Sequence, residues 1–435
     1  MSCSDANSTA KPLPEDRRSA LVCGSEWQDA YATLHTTLLT TRSPRLLVFD
    51  AAANGGLADR LTGLMTVLLF AILTDRALAI DWPGYTEAFD TPQLNVAAAL
   101  KLAKQAPASE VRRIRWLNSN RLTLREQVET DLDALWPERV LIFQSNRGFS
   151  QGLLNSTRHA PAVAARHLTP TTAQFGCLVN FLIRPTEAAL ERVAPLRDAL
   201  AVARARAAVT IGVHVRTGDA SFDAEAGAGG AKSDDEARRG AELYEAHAFI
   251  FEYATRLGKQ LTHARARPMR GDVLDSSADA DRSGDAGGSA GGSAGGAGPY
   301  YGPYYGPYYV LLGDSPALRR HAAATLGEHS VLYWGNSTGG ATVGVGHVAR
   351  QPGDVATLQS AVGEHWLYTG CDSFVFSSHS GYPRTAAARA LRDDAIHTCF
   401  HYDGPLFNSA QRSTARECSG PWSVAALGDR HAAGL

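Results

Sequence analysis

The sequence predicts an α/β protein of two Rossmann-like domains facing a cleft, with a low-complexity insertion in the second. Three observations carry this expectation. Short apolar runs alternate with helical stretches in two separate blocks of the chain. Within each block several runs end in polar turns that carry glycine, serine or aspartate. Between residues 271 and 309 the composition collapses to Gly, Ser, Ala and then three Pro-Tyr-Tyr units. Alternating strands and helices specify a mostly parallel sheet covered on both faces, and 435 residues give room for two domains of ordinary size.

The first domain is expected over residues 26–206, after a disordered stretch or short stem at 1–25. Glu26 to Thr41 reads as a helix and Arg45 to Phe49 as a strand. The turn Asp50-Ala-Ala-Ala-Asn-Gly-Gly-Leu-Ala-Asp-Arg60 follows, then an apolar helix from Leu61 to Thr74 and a strand from Arg76 to Asp81. This strand, glycine turn, helix, strand unit is the βαβ pattern. Gly55 and Gly56 let backbone amides approach a ligand at a helix N-terminus, where the dipole favours an anion, or they simply make a tight turn. The turn is not a GxGxxG fingerprint, so a dinucleotide is not indicated. Residues 83–135 mix short elements, including the run Arg113 to Leu117. Val140 to Gln144 is a further strand, and Arg147 beyond it lies in a surface turn or reaches a substrate. Phe175 to Ile183 is apolar, and a helix is expected from Glu187 to Arg206.

The second domain is expected over residues 207–425, with the insertion at 271–309 and a tail at 426–435. An Ala/Val run from Ala207 to Val213 reads as a buried strand, followed at once by His214, Arg216, Thr217, Gly218 and Asp219. Ser233 to Thr262 reads as one amphipathic helix. The insertion cannot bury a core and reads as a solvated linker, although its tyrosine pairs could adhere to a sugar or protein surface. Tyr309 to Leu312 is a strand ending in Gly313-Asp314-Ser315, and a helix starts near Ala317. Ser330 to Trp334 is a strand, Asp354 caps a helix running to Tyr368, and Asp372 to Ser377 is a strand. The polar turn Ser378 to Arg384 precedes a helix from Thr385 to Arg392, and the tail from His401 reads as irregular.

The totals exclude several classes. Net charge is -2, which gives no basic field for nucleic acid. No uncharged apolar stretch reaches the 18 residues of a membrane span, and Met1 to Asp16 is too polar and acidic for a signal peptide. Six cysteines lie scattered without a CxxC pair, which argues against a zinc site and permits up to three disulfides; Cys371, in an apolar run, reads as a core thiol. Sequons at Asn7, Asn155 and Asn336 fit a secretory-pathway protein.

Four polar turns thus stand at strand ends: Asn54-Gly-Gly56, His214 to Asp219, Gly313-Asp314-Ser315 and Ser377 to Ser380. In open α/β sheets ligands bind beyond the carboxyl ends of the strands. Arg216 offers a planar five-donor fork suited to a phosphate or diphosphate, or it makes a structural salt bridge. There is no HExxH, no GxSxG elbow and no DxD beyond a strand. An arginine, hydroxyls, glycine amides and isolated carboxylates suit a nucleotide diphosphate bound without a divalent ion.

The order of these motifs resembles the superfamily of GDP-fucose-dependent α1,2-, α1,6- and protein O-fucosyltransferases, which share a GT-B fold. His214-Val-Arg-Thr-Gly-Asp219 is similar to their HxRxGD signature, and residues 47–61 resemble their N-terminal glycine loop. Val310 to Pro316 and Glu364 to Ser380 resemble their second and third motifs, so the likeness covers roughly residues 45–85 and 207–395. The resemblance implies a GT-B-like glycosyltransferase that moves fucose from GDP-fucose to a glycan or protein hydroxyl, inverting and without a metal or other cofactor. Arg216 would hold the β-phosphate and neutralise the leaving GDP; His214 would contact ribose or pyrophosphate; Ser377, Ser378 and His379 would serve the diphosphate. Glu364 stands where the family has a carboxylate for guanine N1 and N2, with solvation on a helix face as its bland alternative. Asp314 would support the ribose side or His214, or else cap the next helix; Asp219 would orient Arg216; Asn54, Gly55 and Gly56 would approach fucose and diphosphate. Asp59 is in reach of the glycine loop as a catalytic base or forms a helix-cap pair with Arg60. The loop lacks the glutamine or second asparagine of several relatives, and some relatives lack a protein base. The family also implies a Golgi or ER lumenal setting, with the cytoplasm as the alternative; a lumenal protein would need an anchor that this sequence does not display. Two rival readings are a same-fold transferase with another donor, such as a rhamnosyltransferase, and an inactive GDP- or glycan-binding module.

Overall fold

The structure, a computed structural model, describes residues 21–51, 55–116, 129–146, 148–168, 173–206, 208–217, 233–266, 306–333, 348, 353–378, 380–392, 395–400 and 417–420. Asn54, Arg147, Gly218, Asp219, His379, Cys3, Asn7, Asn336, Trp334 and residues 271–305 of the insertion lie outside these.

Two parallel sheets organise the chain, the GT-B-like arrangement that the sequence implies. The first has the order β2-β1-β5-β4, from Ala77–Asp81 (β2), Leu46–Asp50 (β1), Val140–Ser145 (β5) and Val111–Trp116 (β4). Strand β1 is buried on both faces, as the centre of a parallel sheet requires. Its Leu47 and Phe49 join the main core on one side, while Leu46 and Val48 meet small residues, Ala99 and Ala103, on the other. Helix α1 is Glu26–Thr40, α2 is Leu57–Leu73 and α3, which supplies the alanines, is Val96–Lys104. Every residue of α2 except Asp59 and Thr62 is buried, so the all-round apolar pattern of this helix places it in the core. The short strands Phe89–Asp90 (β3) and Arg184–Pro185 (β6) pair antiparallel beside it.

The second sheet has the order β12-β11-β10-β7-β8-β9. Its strands are Thr210–Val215 (β7), Tyr308–Gly313 (β8), Val331–Leu332 (β9), Ser373–Ser377 (β10), Ile396–Phe400 (β11) and Glu417–Ser419 (β12). All pairings are parallel except that of β12, which returns antiparallel along β11. The remaining helices of nine residues or more are Gln174–Leu182 (α4), Ala194–Ala205 (α5), Ser233–Ala246 (α6), Ala248–Ala266 (α7), Pro316–Leu326 (α8), Val355–Thr369 (α9) and Gly381–Arg389 (α10).

Several expectations are corrected. The helix expected over 187–206 is two, Glu187–Arg192 and α5, because Pro195 sits in the first turn of α5 and cannot continue the preceding one. Helix α5 then buries Leu196 and Leu200 in the core of the second sheet. The long amphipathic helix over 233–262 is likewise divided, into α6 and α7. The last Pro-Tyr-Tyr unit belongs to the sheet rather than to a linker: Tyr308 and Tyr309 open β8, and Tyr309 is buried. The segment after His401 is not wholly irregular, since β12 pairs with β11 and Cys418 is bonded to Cys399. A second disulfide joins Cys23 to Cys177, across the first lobe, and Cys371 is a buried free thiol.

Helix α9 straddles both cores. Its Leu358 and Val362 pack in the first, and Leu367 and Tyr368 in the second. Helix α10 packs on α2 and α4 of the first lobe and on α9. The two lobes are therefore joined through α9 and α10.

Candidate nucleotide site

Strand β7 runs two residues beyond the expected end at Val213. The alternation explains this: Val209, Ile211, Val213 and Val215 all enter one apolar cluster, so the chain stays extended through Val215. His214 thus lies within the sheet and points to the opposite side, with its ring 6.1 Å from that of Tyr382. It is buried, and its Nδ1 has no hydrogen-bond partner among the described residues. Burial first, then the Arg216 and Arg319 guanidiniums, push the imidazole down to about 3. His214 is therefore a neutral hydrogen-bonding group at physiological pH.

Arg216 and Thr217 follow where β7 ends. The Arg216 amide donates to Ser377 Oγ at 3.2 Å, which ties the end of β7 to the end of β10, and the Arg216 side chain is exposed. Asp314, beyond β8, accepts from both the amide and the hydroxyl of Thr217 at 2.8 Å each. Asp314 does not cap the following helix. Ser315 does so, accepting from the Leu318 amide at 3.2 Å. Asp314 instead fixes the backbone turn that carries Arg216.

Ser377 ends β10, Ser378 follows it, and Ser380 opens α10; all three are buried. Ser378 Oγ and Ser380 Oγ have no hydrogen-bond partner among the described residues. Phe376 pairs in register with His214, so these serines and the orphan imidazole nitrogen stand at the same end of neighbouring strands. Buried polar atoms without partners are costly, and three of them stand at one end of the second sheet among the described residues.

Glu364 is not solvated. It is 7% exposed, and its carboxylate accepts from Arg319 at 2.7 and 3.4 Å. Arg319, on α8, is 2% exposed and also donates twice to the carbonyl of Gly313, at 3.1 and 2.6 Å. Sequence reasoning missed Arg319 and Tyr382. The only signal for Arg319 was its place one turn after Ser315 on the helix that the Gly-Asp turn opens, and nothing local marked its partner 45 residues away.

In the first lobe, Gly56 is the N-cap of α2, and its amide donates to Asp59 Oδ2 at 3.1 Å. Asp59 is exposed and caps the helix through Gly56. The Arg60 Nε donates to the Gly55 carbonyl at 2.9 Å, and its guanidinium lies 5.4 Å from the centre of the Trp82 ring. The two sets of residues are linked through α10, since this helix begins at the serine cluster and packs on the α2 that begins at the glycine loop. Among the described residues no group of three His, Cys, Asp or Glu side chains converges as metal ligands. No described helix is long and apolar enough to cross a membrane. An open groove of about 510 Å³ beside Tyr244, Arg256, Lys259 and His263 on α6 and α7 shares no residue with the strand-end cluster.

Among solved structures, the chain is similar to a mutant of Arabidopsis thaliana FUT1 in complex with GDP, with a TM-score of 0.48 and 13% identity over 90% of this chain and 79% of that one. It is also similar to the α-1,6-fucosyltransferase NodZ soaked with GDP-fucose, at a TM-score of 0.45 and 12% identity over 86% of this chain and 99% of that one. Fucosyltransferase NodZ from Bradyrhizobium matches at a TM-score of 0.40 and 13% identity over 83% of this chain and 97% of that one. No family model and no curated protein sequence matches the chain.

Proposed function

We propose that this chain is a glycosyltransferase that takes fucose from GDP-fucose and passes it to a hydroxyl of a glycan or glycoprotein, with inversion and without a metal. The observation that carries the reading is the strand-end cluster of the second lobe. The Arg216 turn is braced by Asp314 and Ser377, beside a neutral buried His214 and the unpartnered hydroxyls of Ser378 and Ser380. It stands on the motif order that resembles the fucosyltransferases.

The chemistry follows from these groups. A diphosphate presents oxygens that accept, and the cluster offers a guanidinium fork, two hydroxyls and an imidazole N–H. As the bond from fucose C1 to the β-phosphate breaks, negative charge grows on the leaving diphosphate. A fixed guanidinium at that point lowers the barrier without having to reorganise. The acceptor oxygen attacks C1 from the opposite side and loses its proton, through an oxocarbenium-like state of the kind that glycosidases also pass. Asp59, which accepts the Gly56 amide at the glycine loop, remains the residue proposed to take that proton.

Calorimetric titration of the protein with GDP, UDP and ADP in the presence of EDTA tests the reading. GDP-selective binding that falls at least about tenfold in Arg216→Ala is expected, the loss of one charge-assisted hydrogen-bonding group. A folded protein that binds none of the three, or prefers UDP, overturns it.

A further inference from the structure

One sequon lies within the described residues and plays no part in the nucleotide site. Asn155-Ser156-Thr157 sits where the short helix Ser150–Asn155 ends in the first lobe. Leu153 and Leu154 of this helix are buried in the first core, and the Phe149 amide before it donates to Thr66 Oγ1 of α2 at 2.9 Å. Asn155 stands at the other end and is exposed. The chain leaves the helix at Ser156, whose backbone is extended. Ser156 is 3% exposed; its hydroxyl donates to Glu129 Oε2 at 2.9 Å and accepts the Arg158 amide at 3.2 Å. Thr157 is exposed again. The middle residue of the sequon thus turns inward and anchors the turn. The asparagine and the hydroxyl residue on which N-glycosylation depends stand on the surface on either side of it. Neither has a side-chain hydrogen bond among the described residues.

The cysteines add an independent observation. Cys23 is bonded to Cys177 and Cys399 to Cys418. Such bonds form and persist in oxidising compartments, among them the secretory lumen in which asparagine is glycosylated, and are rare in the cytosol. We propose that Asn155 is an N-glycosylation site, modified while the chain is being made. In the step itself Asn155 Nδ2 bonds to the anomeric carbon of an oligosaccharide. The bond from that carbon to a lipid diphosphate breaks, the diphosphate leaves with the electron pair, and the amide proton passes to a base of the transferase. The folded turn does not suit this step, because Ser156 is held inside and Asn155 closes a helix. Asn155 is synthesised before Cys177, so it is available before the disulfide whose loop encloses it can close. The finished glycan then stands on the surface of the first lobe and displaces no core side chain. The assignment is independent of the GDP-fucose reading.

The experiment expresses the full chain behind a cleavable secretion leader in cultured eukaryotic cells. The purified protein is treated with peptide N-glycosidase in heavy-oxygen water, and mass spectrometry of unreduced peptides reads both the disulfides and the fate of Asn155. A glycosylated asparagine emerges from this treatment as aspartate carrying heavy oxygen. The label is expected in wild type and in Thr157→Ser. It should be lost in Asn155→Gln and in Thr157→Val, which keeps the shape of threonine without its hydroxyl. Unlabelled wild-type Asn155 in chains that carry both disulfides overturns the site. Chains recovered with all cysteines reduced overturn it too, because the fold then needs no oxidising compartment. Label that survives Thr157→Val is spontaneous deamidation and overturns it as well.

Discussion

His214 and His365 are both buried and both held neutral, each pushed down to about 3. Desolvation is the first cause in each case; Arg216 and Arg319 add to it at His214, and Arg389 at His365. His365 spends its Nε2 on Thr385 Oγ1 at 2.9 Å, inside the joint between α9 and α10, whereas His214 Nδ1 has no partner among the described residues. The sign of the pH effect follows. In the unfolded chain these rings take up a proton near 6.5, but in the fold only near 3. Stability is therefore fully present above the unfolded value and is lost as the pH falls towards the folded one, by up to about 1.4 kcal/mol per pH unit for each ring. Thermal melts between pH 7 and 4 should show the loss, and His365→Gln should remove about half of the slope that these two rings contribute. An unaltered slope in that variant would mean that His365 is protonated in the fold. Legibility differs by residue for the same physical reason. Arg216 stood out because it stands in a polar run directly after an apolar one in the sequence. Arg319 did not, because the partner that gives it meaning, Glu364 on α9, lies 45 residues on and meets it only in the fold.

Strands β1, β5, β7, β8 and β10 were legible because each is an apolar run closed by a polar turn, the pattern of a parallel strand buried on both faces. Ends were less legible than centres. His214 reads as the start of a turn, yet Val215 has to reach the same apolar cluster as Val213, and cluster membership is not visible locally. Strand β12 is three residues held by a neighbour and a disulfide, with no period of its own to read. The glycine inside β7 shows what an element needs beyond pattern. A methyl group on Gly212 would stand 2.7 and 2.9 Å from two ring atoms of Tyr368, which is fully buried and donates its hydroxyl to the Gly212 carbonyl at 3.1 Å. The ring cannot swing aside and keep that bond. Gly212→Ala should therefore cost about 1–3 kcal/mol, the usual range for overpacking, read from denaturant midpoints. A loss below a few tenths of a kcal/mol would show that β7 and α9 can slide apart cheaply.

The proposed transfer requires the two lobes to keep a fixed spacing, and one close helix contact sets it. A Cβ on Gly176 of α4 would lie 2.2 Å from the Ala388 carbonyl oxygen of α10 and 2.7 Å from a Leu391 methyl. Backbone cannot yield as the tip of a flexible side chain does. Beside this contact, Asn180 and Arg389 exchange two hydrogen bonds, side chain to side chain at 3.0 Å and Asn180 Nδ2 to the Arg389 carbonyl at 3.1 Å, and Arg389 also donates to Thr369 at 3.1 Å. The Cys23–Cys177 disulfide anchors α4 from the far side, so α4 cannot back away freely. Gly176→Ala must then push α4 and α10 apart, so the first lobe shifts against the second, while Ser378 and Ser380 stay with α10, whose Ala386, Ala387 and Ala388 belong to the second core. The candidate nucleotide groups at the ends of β7, β8 and β10 all belong to the second lobe and should stay in register with one another. The expected outcome is a split. GDP affinity changes by less than about threefold, while turnover of GDP-fucose with a panel of glycan acceptors falls by about 10²-fold, the order of loss that a 1 Å misplacement produces. Calorimetry and a GDP-release assay on the same preparation would read both. Equal losses of binding and turnover would mean that the contact shapes the nucleotide lobe itself, and the spacing role of α4 and α10 would have to be given up.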